Sequence, residues 1–109
     1  MSNSTFRDAQ LCQLLAEELE LVLLNAEDPL LSELYISEVQ ARSGGSAFSV
    51  LLEPRDYGAL QVPQHTLKQT IQRASGFLRR ELTEALNLRR SPQITFSLDP
   101  RYALAVRRT

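Results

Sequence analysis

The chain has one cysteine, Cys12, one histidine, His65, one methionine and no tryptophan in 109 residues. A single cysteine excludes an intramolecular disulfide and fits a reducing cytoplasm. Structural zinc takes about four Cys or His ligands, so one of each excludes such a site within one chain. Ser-His-Asp or Cys-His catalysis would have to run through His65, which lies beside an expected helix start in a polar stretch. There is no GxxxxGK[ST] and no GxGxxG, and the acidic residues of the first half lack metal-loop spacing. No apolar run approaches the roughly 20 residues of a membrane helix. Met1-Ser2-Asn3-Ser4-Thr5 has neither the basic start nor the apolar stretch of a signal peptide. The expectation is a cytoplasmic, monomeric protein that is not an enzyme, holds no cofactor or metal and has no membrane partner.

The length is enough for one domain and too short for two, and it supports a core without metal or disulfides. The net charge of −1 hides an asymmetry. Residues 1–56 carry three basic and ten acidic side chains, a net of −7, and residues 57–109 carry nine basic and three acidic, a net of +6. A split of this kind points to an anionic partner for the basic half, or to two halves that neutralise each other in the fold.

Residues 7–24 read as an amphipathic helix. Leu11, Leu15, Leu19 and Val22 recur at helical spacing, with Gln10, Gln13, Glu17 and Glu20 opposite. Thr5 followed by Asp8 resembles a capping box, and Glu27-Asp28-Pro29 ends the helix. Residues 34–41 read as a strand whose apolar parity shifts from Leu34 and Ile36 to Val39 and Ala41, so a bulge is expected near Glu38. Arg42-Ser43-Gly44-Gly45 is a turn, and residues 47–52 form the second strand of a hairpin. Asp56-Tyr57-Gly58 carries turn chemistry, and Pro63 suits a helix start. Leu67, Ile71 and Ala74 form one apolar stripe, and Leu78, Leu82 and Ala85 another, with Gly76 between them. Glycine costs about 1 kcal/mol relative to alanine inside a helix, so a boundary is expected there. Two helices, 66–73 and 77–87, should therefore flank Ala74-Ser75-Gly76. Ile94, Phe96 and Leu98 alternate with Thr95 and Ser97 as a third strand. The fold class is α+β: three strands with helices on one face, over residues 1–99, followed by a short basic tail, 100–109.

That order is the type II KH arrangement. The stretch Ile71-Gln72-Arg73-Ala74-Ser75-Gly76-Phe77-Leu78-Arg79-Arg80-Glu81-Leu82 resembles the centre of the ribosome-binding factor A family. So does Leu86-Asn87-Leu88-Arg89-Arg90-Ser91-Pro92-Gln93-Ile94-Thr95-Phe96, followed by Asp99. Asp28-Pro29-Leu30-Leu31 resembles the family's element after the first helix. The chain departs from the family in a first helix almost free of positive charge, in Leu30 where arginine is frequent, and in a short C-terminal tail.

The resemblance implies binding to the small ribosomal subunit and its rRNA during assembly, help with rRNA maturation, and support of growth in the cold. It also implies that Ala74-Ser75-Gly76 replaces the GXXG loop with which KH domains clamp the nucleotide backbone. Taken alone, that triplet is more simply a helix end that contains glycine. With the flanking match it reads as a kink whose small residues let backbone N–H groups face a phosphate. Lys68, Arg73, Arg79, Arg80, Arg89 and Arg90 surround it as candidate RNA contacts. Arg73, Arg79, Arg80 and Arg89 are expected to form one positive surface, away from the glutamates of the first helix. The plainer reading of these side chains is a solvated helix face, with Arg80 and Glu84 paired at i, i+4. The alternative function is a protein-interaction module that binds a basic ribosomal protein through its acidic half.

Overall fold

A computed structural model describes residues 2–42, 47–55, 62–88 and 93–102, with side chains from Arg7 onward. The chain order is α1 (Ser2–Leu24), a single turn α2 (Pro29–Ser32), β1 (Leu34–Arg42), β2 (Ala47–Pro54), α3 (Gln64–Ala85) and β3 (Gln93–Leu98). The three strands form one sheet in the order β1-β2-β3. β1 and β2 pair antiparallel, as a hairpin must. β2 and β3 pair parallel, because α3 crosses over the sheet and returns the chain to the end from which β2 began.

Both long helices cover the same face. Leu15, Leu19 and Leu23 of α1 and Leu67, Ile71, Leu78 and Leu82 of α3 join Phe48, Val50, Leu52, Ile94, Phe96 and Leu98 in a single core. The bulge falls where the parity of β1 shifts. Ile36 pairs with Leu52 and Glu38 with Leu51, so Ser37 is the extra residue. Its insertion returns Val39 and Ala41 to the core side, opposite Val50 and Phe48.

Two starts and ends differ from expectation. α1 runs back to Ser2, through the expected Thr5–Asp8 cap. α3 stops at Ala85 rather than at 87. Asn87 takes a left-handed φ of 52°, and the Leu88 N–H donates to the Thr83 carbonyl at 3.0 Å while the Asn87 N–H donates to Glu84 at 3.2 Å. This is a Schellman closure with asparagine at the left-handed position. The turns expected at 43–45 and 56–58 lie outside the described residues.

α3 also corrects the expected break. It is one continuous 22-residue helix through Ala74, Ser75 and Gly76. Leu67, Ile71, Ala74, Leu78, Leu82 and Ala85 follow at spacings of four, three, four, four and three, so the apolar stripe never changes phase. Burying that stripe outweighs the roughly 1 kcal/mol that one glycine costs. Ser75 conforms as well, its hydroxyl donating to the Ile71 carbonyl at 2.9 Å.

Beyond β3 the chain is anchored by Asp99, which is 1% exposed. Its Oδ1 accepts from the Arg101 N–H at 2.9 Å, and Pro100 stands between them, which makes Asp99 the N-cap of a short helical segment at 100–102. Its Oδ2 accepts from the Ser37 hydroxyl at 2.7 Å and from Arg101 Nη2 at 2.8 Å. Tyr102, the last described residue, is buried in the core. Beside this group Tyr35 donates its phenolic hydrogen bond to Glu53, which raises the phenol above its ordinary range. The Arg101 guanidinium, then the Ser37 and backbone donors, hold the Asp99 carboxyl well below the usual carboxylate range despite its burial.

Asp99→Ala should therefore destabilise the fold by about 2–3 kcal/mol at pH 7, from a lost cap and from donors left unpaired. The folded-state value lies below the unfolded one. The contribution is thus complete above about pH 4 and is lost as pH falls from there. Denaturant melts of both proteins from pH 7 to pH 2 should show a constant gap that closes only at the acid end.

Candidate nucleic-acid interface

Residues Gln64–Arg80 of α3 carry four cations, Lys68, Arg73, Arg79 and Arg80, and no carboxylate. The only ion pair among the described residues joins Arg101 to Asp99. The pair considered between Arg80 and Glu84 does not form, so the α3 cations are free to meet an external anion.

Helical spacing sorts them into two rows. Arg73, Gly76 and Arg80 follow at i, i+3 and i+7 and are all exposed, so they share the outward face. Gly76 has open space where a Cβ would stand. The outward face is therefore bare helix between two guanidinium groups. Lys68, Gln72 and Arg79 follow at i, i+4 and i+11 along the flank toward β3. Lys68 and Gln72, with Ile71, Phe96, Ser97 and Leu98, line an open groove of about 290 Å³ between α3 and the edge strand β3. Arg79 is half-buried, and its Nε finds no hydrogen-bond partner among the described residues. A buried donor left unpaired costs about 1–3 kcal/mol.

Of the residues singled out from sequence, Lys68, Arg73, Gly76 and Arg80 are thus exposed along α3, and Arg79 is half-buried on the Lys68 flank. Ala74 and Ser75 do not join them. Ala74 packs against the core and Ser75 is half-buried with its hydroxyl turned back on the helix. In an unbroken helix the N–H groups after Gly76 bond to carbonyls one turn back, so they cannot form the expected phosphate cradle. Gly76 leaves bare helix surface there and makes no kink. Arg89 and Arg90 lie outside the described residues.

Two of the three glutamates of α1, Glu17 and Glu20, lie beside β1 rather than α3. Glu17 and Glu20, with Glu38 of β1, line a second groove of about 410 Å³ between α1 and the other edge strand, floored by Ala16, Ile36 and Val39. Cys12 borders it. Burial, then the charge of Asp8, pushes the Cys12 thiol up, which suits a packing role rather than a reactive thiolate. No cluster of three His, Cys, Asp or Glu side chains among the described residues is arranged to hold a metal ion. No helix of the described residues is long and apolar enough to cross a membrane.

Sequence reasoning missed Thr70 and Phe77, which lie with Arg73 on the third side of α3, facing α2. The signal was present. Phe77 stands one residue out of phase with the apolar stripe, so its ring had to lie outside the core.

The sequence model of the family described as ribosome-binding factor A matches residues 7–108. The crystal structure of ribosome-binding factor A from Thermus thermophilus is similar at TM-score 0.68 and 25% identity, over 84% of this chain and 93% of that one. A homology model of the Thermus thermophilus factor, fitted into a cryo-EM map of a 30S complex, is similar at TM-score 0.52 and 32% identity, over 82% and 87%. No curated protein sequence matches the chain.

Proposed function

The chain belongs to the ribosome-binding factor A family, and from that premise we propose that it binds the small ribosomal subunit during assembly, gripping rRNA with the exposed side of α3. The observation that carries the reading is the row of unpaired cations on α3, with a bare glycine between Arg73 and Arg80. The Thermus thermophilus factor fitted into a 30S map supports the choice of partner. Lys68, Arg73, Arg79 and Arg80 meet phosphates, Gly76 lets the strand lie against the helix, and the α3–β3 groove receives the chain beside Lys68. Arg89 and Arg90, next along the sequence, extend the basic surface. Holding one rRNA segment in place while its surroundings fold is how such a protein assists rRNA maturation, including in the cold, where misfolded RNA escapes slowly. It works as a monomer in the cytoplasm, without catalysis or cofactor.

The test is sedimentation with purified small subunits across a salt series. Three or four neutralised phosphates give a log–log slope of roughly −2 to −3 on single-stranded RNA. Failure to ride with free small subunits, or a slope near zero, would sink the reading.

One observation favours a second reading, in which the acidic half binds a basic ribosomal protein. The groove at the free edge of β1 carries Glu17, Glu20 and Glu38 around an apolar floor, which suits an extended basic segment added as a strand. Binding to subunits that survives ribonuclease would support it, and Glu17→Gln with Glu20→Gln should then weaken that residual binding.

A further inference from the structure

Phe77 is 45% exposed and is the one exposed Phe or Tyr ring among the described residues. It borders an open groove of about 290 Å³ between α2 and α3, with Asp28, Leu31, Thr70, Arg73 and Ala74. Ala74 and Leu31 make an apolar floor. Arg73, one turn before Phe77, makes no ion pair among the described residues, so it is not spent on Asp28 in the same groove.

The polar groups are fixed and one-sided. Asp28 Oδ1 accepts from the Leu30 N–H at 2.9 Å, which holds the carboxylate in place as the cap of α2. Its second oxygen has no partner among the described residues. The Thr70 hydroxyl gives its proton to the Thr66 carbonyl at 2.9 Å, which leaves it only lone pairs to offer. The groove therefore presents a π-face, a cation at the rim and two acceptors. Apart from Arg73 at the rim, the polar atoms of the groove only accept, so they favour a ligand edge that donates.

Resting on the RNA-binding reading above, we propose that this groove takes one unpaired nucleobase bearing an exocyclic amine, stacked on Phe77. The amine of adenine, cytosine or guanine donates to Asp28 and Thr70, and Arg73 meets the adjoining phosphate. Unpaired bases splayed onto aromatic rings are the common mode of single-strand recognition, and carboxylates accept from base amines. Uracil has no exocyclic amine and fits less well. The site would give sequence preference to a surface that otherwise reads only phosphates.

The chain contains no tryptophan, so Phe77→Trp places a single indole in the groove. It is titrated with oligoadenylate, oligocytidylate, oligouridylate and base-free inorganic polyphosphate. Adenylate and cytidylate should quench the indole, uridylate should bind several-fold more weakly, and polyphosphate should leave emission unchanged. In the native background Phe77→Leu should weaken oligoadenylate binding roughly tenfold, as expected for one lost stack, without altering the salt slope. Asp28→Asn keeps the cap, because asparagine caps as well as aspartate, but adds a donor and should narrow the preference over uridylate. RNA that binds with its usual salt dependence while the indole stays unquenched, or while Phe77→Leu changes nothing, would overturn the stack and leave phosphate binding intact. Equal quenching by polyphosphate would also overturn it. A native protein that binds none of these polymers would overturn the RNA reading and the stack together.

Discussion

Replacing Lys68, Arg73 and Arg80 together by glutamine should lower affinity for single-stranded RNA about a hundredfold in 0.1 M salt while leaving the fold intact. The magnitude follows from counterion release. Each phosphate neutralised on a single strand contributes about 0.7 to the log–log salt slope, which at 0.1 M is about 0.7 log units of affinity. Three contacts make roughly two log units. The slope should flatten by about two, so wild type and variant should converge toward 1 M salt. All three side chains are exposed and none makes an ion pair among the described residues, so stability should stay within about 0.5 kcal/mol. Filter binding across a salt series, with a thermal melt of the same preparations, separates the two quantities. A folded triple variant with native affinity and slope would move the RNA surface off α3. Lost affinity with an unchanged slope would mean that the residues act through shape and not through charge.

How much of this surface was legible in the sequence depends on what each residue answers to. The strands, the bulge and the helix faces follow from apolar spacing, because burial of one face fixes register and phase over many residues. Ile36, Val39 and Ala41 could not share a face without an extra residue, and Ser37 is that residue. The α3 cations were legible as a composition, but not their sorting into rows, which needs an unbroken helix. Gly76 misled because propensity is local and weak, whereas the stripe from Leu67 to Ala85 holds its phase across it. The same rule, applied to phase instead of to the glycine, gives one helix. Asp99 reads from sequence only as the close of a motif. Its work as a cap that ties the chain after β3 to Ser37 of the bulge joins residues 62 positions apart, and no local pattern carries that. The groove under Phe77 likewise brings Asp28 to α3 through tertiary packing alone.

Gly76→Ala should raise stability and lower affinity at once. In an exposed helix interior, alanine is more favourable than glycine by about 1 kcal/mol. Nothing lies within 4 Å of the added Cβ, so no clash offsets that gain. For a domain of this length the melting temperature should rise by roughly 4–8 °C. A kinked or left-handed position would give the opposite sign, so the melt also tests the continuous helix. The same methyl group stands on the outward face between Arg73 and Arg80 and holds a strand off the helix surface. Losing one to two phosphate contacts at 0.1 M salt gives an affinity about five- to twenty-fivefold weaker. Gly76→Leu should keep most of the stability gain, since leucine is also a strong helix former, and should weaken binding further because it fills more of the space. Stability and binding then move in opposite directions along the series Gly, Ala, Leu. That pattern is expected only if the glycine is retained for the bare surface it leaves. Binding that is indifferent to all three side chains would leave Gly76 a cost without a use on this face, and would place the RNA strand along the Lys68–Arg79 flank instead.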